Sequence, residues 1–324
     1  MVVVVRWLFI KQNILDVPNY RKVHQFQTPL SGGFSILSTL LIIIYYLNLN
    51  FSEINLILLA TFFVGFFGLL DDIKPHHWSL RVASQAVAIL FVIFFGEITI
   101  KSTGSFAFFD QSSTSYFGIT ITFIAVLGLT NAINLSDGID GLASSLVLLP
   151  IILILLFASS PSIYDSILWV ISGSIIAFLA FNVFSEKMKI FLGDSGSLAL
   201  GFLLSWVLII YANNDLIKDE LVIWLTAMPV IDTFGVIYRR LQQGKKIFKP
   251  DNSHLHHLLI KSGFSKKETL ILIILLSIFT SLIGYFATEY LSSFSYLIFL
   301  LLIPIYSGII KNPSLLRIFL FSIK

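Results

Sequence analysis

The chain has 324 residues, of which 56% are hydrophobic and 12% charged, whereas about 25% of a soluble domain is charged. That balance excludes an ordinary water-soluble enzyme, and a net charge of +3 is too small to mark a nucleic-acid binder. No cysteine is present, which excludes disulfides, thiolate metal sites and a cysteine nucleophile.

The opening stretch, MVVVVRWLFI, is apolar but broken by Arg6 and too short to cross a bilayer, so it reads as the stub of a span. A polar segment follows, Asp16-Val17-Pro18-Asn19-Tyr20-Arg21-Lys22-Val23-His24, closing with Pro29 and the pair Gly32-Gly33. Ten apolar runs come next, at residues 34–49, 55–70, 80–95, 117–129, 142–157, 167–184, 197–212, 221–238, 269–287 and 292–309. A span needs about 20 apolar residues, so the length allows roughly ten helices and little soluble domain. The sequence therefore predicts an all-α, polytopic membrane bundle of about ten transmembrane helices in a single domain over residues 1–324. Residues 97–116 alternate apolar and polar positions around Gly104, which predicts a small hairpin.

If the spans alternate, 19 of the 21 basic residues fall on one side, and only Lys101 and Lys218 on the other. The positive-inside rule puts the first side in the cytoplasm. Every unusual polar cluster falls on that same side.

The central cluster is Asn131 to Leu142, where Asn131, Asn134, Asp137 and Asp140 recur every third residue and Gly138 and Gly141 allow close approach. A helical path would put the four polar side chains on one face. At a membrane junction such residues need water, a cation or a ligand. Asp71-Asp72 ends an apolar run, with Lys74 and Arg81 just beyond. Adjacent carboxylates there call for a cation or hydrogen-bond donors, although alone the pair also reads as a solvated helix end. Asp194 lies in Phe191-Leu192-Gly193-Asp194-Ser195-Gly196-Ser197 at the start of a run. Amides at a helix N-terminus favour phosphate, and Asp194 offers oxygen to a hard cation. Read alone, Ser-Gly-Ser is an ordinary N-cap and Asp194 a capping acid. Asp232 stands inside a run, followed by the basic loop Arg239-Arg240 through Lys245, Lys246 and Lys249 to His254-Leu255-His256-His257. The lysines read as contacts to anionic lipid heads, and the histidines as groups facing phosphate. A zinc site is conceivable, but the adjacent histidines lack the i, i+4 spacing of a helical zinc pair. Oxygen donors without thiolates suit Mg²⁺ or Mn²⁺, and a diphosphate is the natural substrate of such a site.

These motifs, Asp71-Asp72, Asn131 to Leu142, Phe191 to Ser197 and Pro229 to His257, resemble in order and spacing the polyprenyl-phosphate N-acetylhexosamine-1-phosphate transferases, the MraY/WecA superfamily. The segment from Asp16 to His24 with Gly32-Gly33 is similar as well. The resemblance implies Mg²⁺-dependent transfer of a HexNAc 1-phosphate from a UDP-sugar to undecaprenyl phosphate at the cytoplasmic leaflet of the plasma membrane, with release of UMP. It implies Asp194 as the foremost metal ligand and Asn134 as a second. One of Asp71 and Asp72 would be the base that deprotonates the lipid phosphate. Covalent attack by an aspartate stays open. Asn131, Asp137, Gly138, Ile139, Asp140 and Phe191 would bind the donor, with Phe191 stacking on uracil, and Lys74 and Arg81 complete the substrate-binding set. His254, His256 and His257, with Arg239 and Arg240, would meet the phosphates or the sugar.

The Pro250-Asp251-Asn252-Ser253-His254-Leu255-His256-His257 ending and Asp232-Thr233 resemble the WecA branch, which favours UDP-GlcNAc and initiates O-antigen, common-antigen or teichoic-acid type glycans. The alternatives are the phospho-MurNAc-pentapeptide transferase of peptidoglycan synthesis and, from another class, a polytopic transporter using midspan groups such as Asn182 and Asp232. The family usually has a complete span before the first polar segment, so a late start or a truncated copy is expected here. Residue patterns leave a homodimer open.

Overall fold

A computed structural model describes residues 1–16, 27–46, 52–104, 114–245 and 253–310. Within the motifs above, residues 17–24 and 246–252 lie outside the described residues. Inside a bilayer each backbone polar group must find its partner within the protein, so apolar runs of this length fold as helices. The described chain divides into two compact units, one comprising the described residues up to Lys101 and from residue 114 to Ile217, the other residues 102–104 and those from Lys218 onward.

The first unit contains α1 (Val2–Lys11), the short antiparallel pair β1 (Leu15–Asp16) and β2 (Thr28–Pro29), α2 (Gly32–Tyr46), α3 (Ser52–Ile73), α4 (Trp78–Gly96), α5 (Thr114–Leu135), α6 (Leu142–Phe157), α7 (Asp165–Asn182) and α8 (Gly193–Asn213). Helix α8 is its axis. It packs most extensively against α3 and α5, and also against α2 and α6. Nearly all of its residues are buried. Small residues make this close packing feasible, since without a water-driven hydrophobic effect helices in lipid associate by tight van der Waals contact. A Cβ on Gly33 of α2 would fall on the backbone of Gly196, and one on Gly68 of α3 would lie 2.7 Å from the carbonyl group of Asp194.

The segment leading into α8 is tied to the start of α2. Gly32 and Gly33 donate their N–H groups to the carbonyls of Phe191 (2.9 Å) and Leu192 (3.0 Å), and the Phe191 N–H donates to the Pro29 carbonyl at 2.9 Å. Asn182, at the end of α7, donates to the Ile190 carbonyl at 2.8 Å. Those bonds satisfy the Gly32 and Gly33 amides at the start of α2 and fix the path of residues 190–192.

The second unit contains α9 (Asp219–Leu225), α10 (Ala227–Gln242), α11 (Leu255–Lys261), α12 (Lys266–Tyr290) and α13 (Ser292–Ile310). Helix α12 begins with a capping box in which Ser265 accepts the Glu268 N–H and Glu268 accepts the Ser265 N–H.

Among the described residues nine of the ten apolar runs fall largely on one helix apiece and the run at 221–238 on two. Among the described residues, seven helices (α3, α4, α5, α7, α8, α12 and α13) are long and apolar enough to cross a membrane, and α2 and α6 are shorter apolar helices. The protein is therefore an all-α, multi-pass membrane protein. Three expectations are corrected. The run expected as one span at residues 221–238 is two helices, α9 and α10, bent by 72°. The bend falls at Thr226, whose hydroxyl bonds to carbonyls of the preceding turn, and Pro229, with no N–H to donate, sits in the first turn of α10 where that loss is tolerated. Of the hairpin expected at residues 97–116, the described residues 97–104 form no strand, and residues 105–113 lie outside the described residues. The third concerns residues 131–140: α5 stops at Leu135, so Asp137 and Asp140 sit in the turn between α5 and α6 and do not continue a helical face.

Candidate active site

The first turn of α8 meets the last turn of α3. The residue before α8, Leu192, gives it no side-chain cap. Asp72 of α3 does so from across the interface, accepting the N–H of Asp194 on Oδ1 at 2.8 Å and that of Ser195 on Oδ2 at 3.1 Å. This corrects the reading of Ser195-Gly196-Ser197 as the cap and of Asp194 as a capping acid. It also shows that the anion held by these two amides is the Asp72 carboxylate, where a phosphate cradle was expected. A negative charge there complements the positive end of the helix dipole. Gly193 has φ +74°, and a Cβ on it would lie 2.6 Å from Asp72 Oδ2, so glycine both makes the turn and leaves room for the carboxylate.

With its backbone held by Asp72, Asp194 turns its side chain to two other helices. Its Oδ1 accepts from Asn134 Nδ2 of α5 at 2.8 Å, and its Oδ2 accepts from Arg81 Nη1 of α4 at 2.6 Å. Asn134 also donates to Ser197 Oγ at 2.9 Å, which in turn donates to the Gly193 carbonyl. Arg81 stands 3.3 Å from Asp71 Oδ2, and Asp71 Oδ1 accepts the His76 N–H at 2.7 Å. Asp71, Asp72, Asn134, Asp194 and Arg81 are thus brought together, with Asp194 lying 60 residues from Asn134, 113 from Arg81 and 122 from Asp72 in the sequence.

Asp137 is half-buried in the turn after α5. Burial foremost, then the nearby carboxylates of Asp194, Asp72 and Asp140, pushes its carboxyl up to about 8. Asp140 pairs with Lys189 at 2.7 Å, and the same ammonium lies 5.7 Å from the centre of the Phe191 ring. Lys189 therefore joins the acidic turn to the aromatic residue beside α8. Ile139 is buried, while Gly138 and Lys74 are exposed. Asn131 uses its amide N–H groups on Gln85 Oε1 (2.7 Å) and the Leu127 carbonyl (2.8 Å), so it ties α5 to α4 one turn beyond Arg81.

In the second unit, Asp232 is buried and accepts from His254 Nδ1 (2.9 Å), the Leu255 N–H (3.0 Å) and the Tyr306 hydroxyl (2.6 Å). The His254 and His256 rings are nearly parallel at 6.1 Å, and His257 lies 4.1 Å from His256. Burial foremost, then the neighbouring His257, pushes the His256 imidazole down to about 3, which keeps it neutral. Arg239 and Arg240 are buried, and Arg239 Nη2 donates to the Ser253 carbonyl at 2.8 Å. Among the described residues no three His, Asp or Glu side chains are arranged as a ready metal shell.

Lys189, Gln85 and Tyr306 escaped the reading of the sequence. Lys189 stands two residues before Phe191 and entered only as one of the topology-setting charges. Nothing in the sequence marks Gln85 or Tyr306, which lie in apolar helices outside every motif singled out.

Fold and site together define a multi-pass membrane protein with a carboxylate-rich centre at the junction of four helices, α3, α4, α5 and α8. Residues 54–212, which carry that centre, match the family described as glycosyl transferase family 4. Over 287 residues, 87% of this chain and 79% of the relative, the sequence is 31% identical to the undecaprenyl-phosphate alpha-N-acetylglucosaminyl 1-phosphate transferase of Yersinia pestis. It is 30% identical to the protein of the same name from Escherichia coli K12 over 86% of this chain and 77% of the relative. For that of Haemophilus influenzae the identity is 31%, over 86% and 80%. The chain belongs to glycosyl transferase family 4.

Proposed function

We propose that the protein transfers GlcNAc 1-phosphate from UDP-GlcNAc to undecaprenyl phosphate. A phosphate oxygen of the lipid attacks the β-phosphorus of the donor, the bond from that phosphorus to the bridging oxygen breaks, and UMP leaves with that oxygen. The product is a lipid diphosphate carrying GlcNAc. The observation that carries this reading is the convergence of Asp72, Asn134 and Arg81 on Asp194, with Asp71 beside the same guanidinium, on the stretch that matches the family. The names of the relatives support the lipid acceptor and the sugar phosphate.

The donor set fits a hard, oxygen-seeking cation. Asp71 and Asp194 lie against Arg81, and Asp72 and Asp137 add their carboxylates close to Asp194, an excess of negative charge that a divalent cation would relieve. Mg²⁺ keeps several waters and needs only one or two carboxylates, so the lack of a three-residue shell is no obstacle. Asp194 would hold Mg²⁺ or Mn²⁺, with Asn134 beside it. Such an ion, when bound, neutralises charge on the diphosphate. In this reading Asp71 takes the proton of the lipid phosphate, since Asp72 is committed to two amides of α8 whereas Asp71 accepts a single backbone N–H and faces Arg81. Arg81 faces phosphate charge, while Asp137 through Asp140 with Phe191 bind the uridine. The histidines of the second unit, with Arg239 and Arg240, are assigned to the phosphates or the sugar. The asymmetry of basic residues supports a plasma-membrane protein with its carboxylates toward the cytoplasm.

The test is release of UMP by purified protein in detergent given undecaprenyl phosphate, Mg²⁺ and a panel of UDP-sugars. UMP should appear with UDP-GlcNAc and stop on adding EDTA. Well-folded protein that releases no UMP from any UDP-HexNAc would overturn the reading.

A further inference from the structure

The second unit holds a largely buried hydrogen-bonded chain of which the proposed reaction uses only the histidine end. Asp232 on α10 is 6% exposed, yet it is a carboxylate within an apolar helix pair. Such a group persists only when donors surround it. It has three: His254 Nδ1 on Oδ2, and the Leu255 N–H and Tyr306 hydroxyl on Oδ1. A half-buried tyrosine needs only one acceptor, and a backbone carbonyl would serve; here it is placed on the carboxylate that grips a histidine.

We propose that Tyr306 of α13 is a positioning residue that, through Asp232, holds His254 in one orientation and one tautomer. Asp232 Oδ2 takes the Nδ1–H of His254, which leaves Nε2 as the free face of the ring, the same logic by which a carboxylate orients a histidine in catalytic triads. The 2.6 Å bond from Tyr306 and the bond from Leu255 anchor Oδ1, so the carboxylate is pinned at both ends and cannot rotate away from His254. Gly235, one turn along α10 from Asp232, makes room for this contact: a Cβ there would lie 2.9 Å from Tyr306 Cδ1. The parallel stacking of His254 on His256 carries the orientation to the second ring.

The kinetic arm of the test rests on the proposed transferase reading; the spectroscopic arm does not. Tyr306→Phe should lower kcat about tenfold, corresponding to loss of one charge-assisted hydrogen bond, while KM for UDP-GlcNAc stays within about twofold. Gly235→Ala should act in the same direction. Adding Tyr306→Phe to Asp232→Asn should bring little further loss, because both act through one path. Ring nitrogen NMR of histidine-labelled protein, with His254 assigned by His254→Gln, should show a single Nδ1–H tautomer in the wild type and a mixture in Tyr306→Phe. An unchanged tautomer in both Tyr306→Phe and Gly235→Ala overturns the proposal, whether or not stability falls. So does additive loss in the double variant. If the wild type releases no UMP, the transferase reading fails, and the tautomer measurement still decides the role of Tyr306.

Discussion

The Asp72 carboxylate accepts the backbone N–H of Asp194, at 2.8 Å, so one acid of the centre holds the other in place through its main chain. Asp72 therefore has a structural duty that its neighbour Asp71 lacks. Asp72→Ala should lose activity and also about 1–3 kcal/mol of stability, since it strips the cap from α8. Asp194→Ala should abolish UMP release with a smaller change in thermal unfolding. Comparing melting in detergent with turnover separates the two, and equal stability in both variants would remove the capping duty.

Asp137 makes stability depend on pH. Its carboxyl is raised from 3.8 to about 8, so between roughly pH 4 and pH 8 the folded state keeps a proton that the unfolded state has released. Stability from this group is full below that window and falls as pH rises through it. In metal-free buffer, Asp137→Asn should flatten the dependence of the melting temperature on pH between 5 and 8 and melt higher than wild type at pH 8. Parallel curves for the two proteins would contradict this.

Gly68 lies where α3 touches the backbone of α8 at Asp194. Gly68→Ala improves intrinsic helix propensity, yet the added methyl group has only backbone to meet, so the two helices must part. Overpacking of this kind costs about 1–3 kcal/mol. Turnover should fall along with stability, because the same contact sets Asp72 against the start of α8. Unaltered melting and UMP release would show that the interface yields freely.

Lys189 links Asp140 to the Phe191 ring. Lys189→Ala should raise KM for the UDP-sugar about tenfold, the scale of one charge-assisted contact, with kcat little changed. Lys189→Arg should retain most of the affinity. A fall in kcat at constant KM would instead place Lys189 with the reacting phosphates.

Composition and apolar run length alone determined that this is an all-α, multi-pass membrane chain, because the bilayer demands helices of a minimum length whatever their neighbours. The acidic motifs were equally legible, since carboxylates and small-residue loops are conspicuous among Leu, Ile and Phe. What the tertiary structure decided was the division of labour among those residues. Asp72 and Asp194 are 122 positions apart, and no local pattern states that one caps the helix carrying the other. The break at Thr226 was hidden because apolar residues continue through it, and the stop of α5 at Leu135 because period-three spacing persists into a turn. Gln85, Lys189 and Tyr306 carry no signal of their own; their roles arise only from the atoms that packing places within hydrogen-bond reach, a relationship of distance in space that the order of residues does not encode locally.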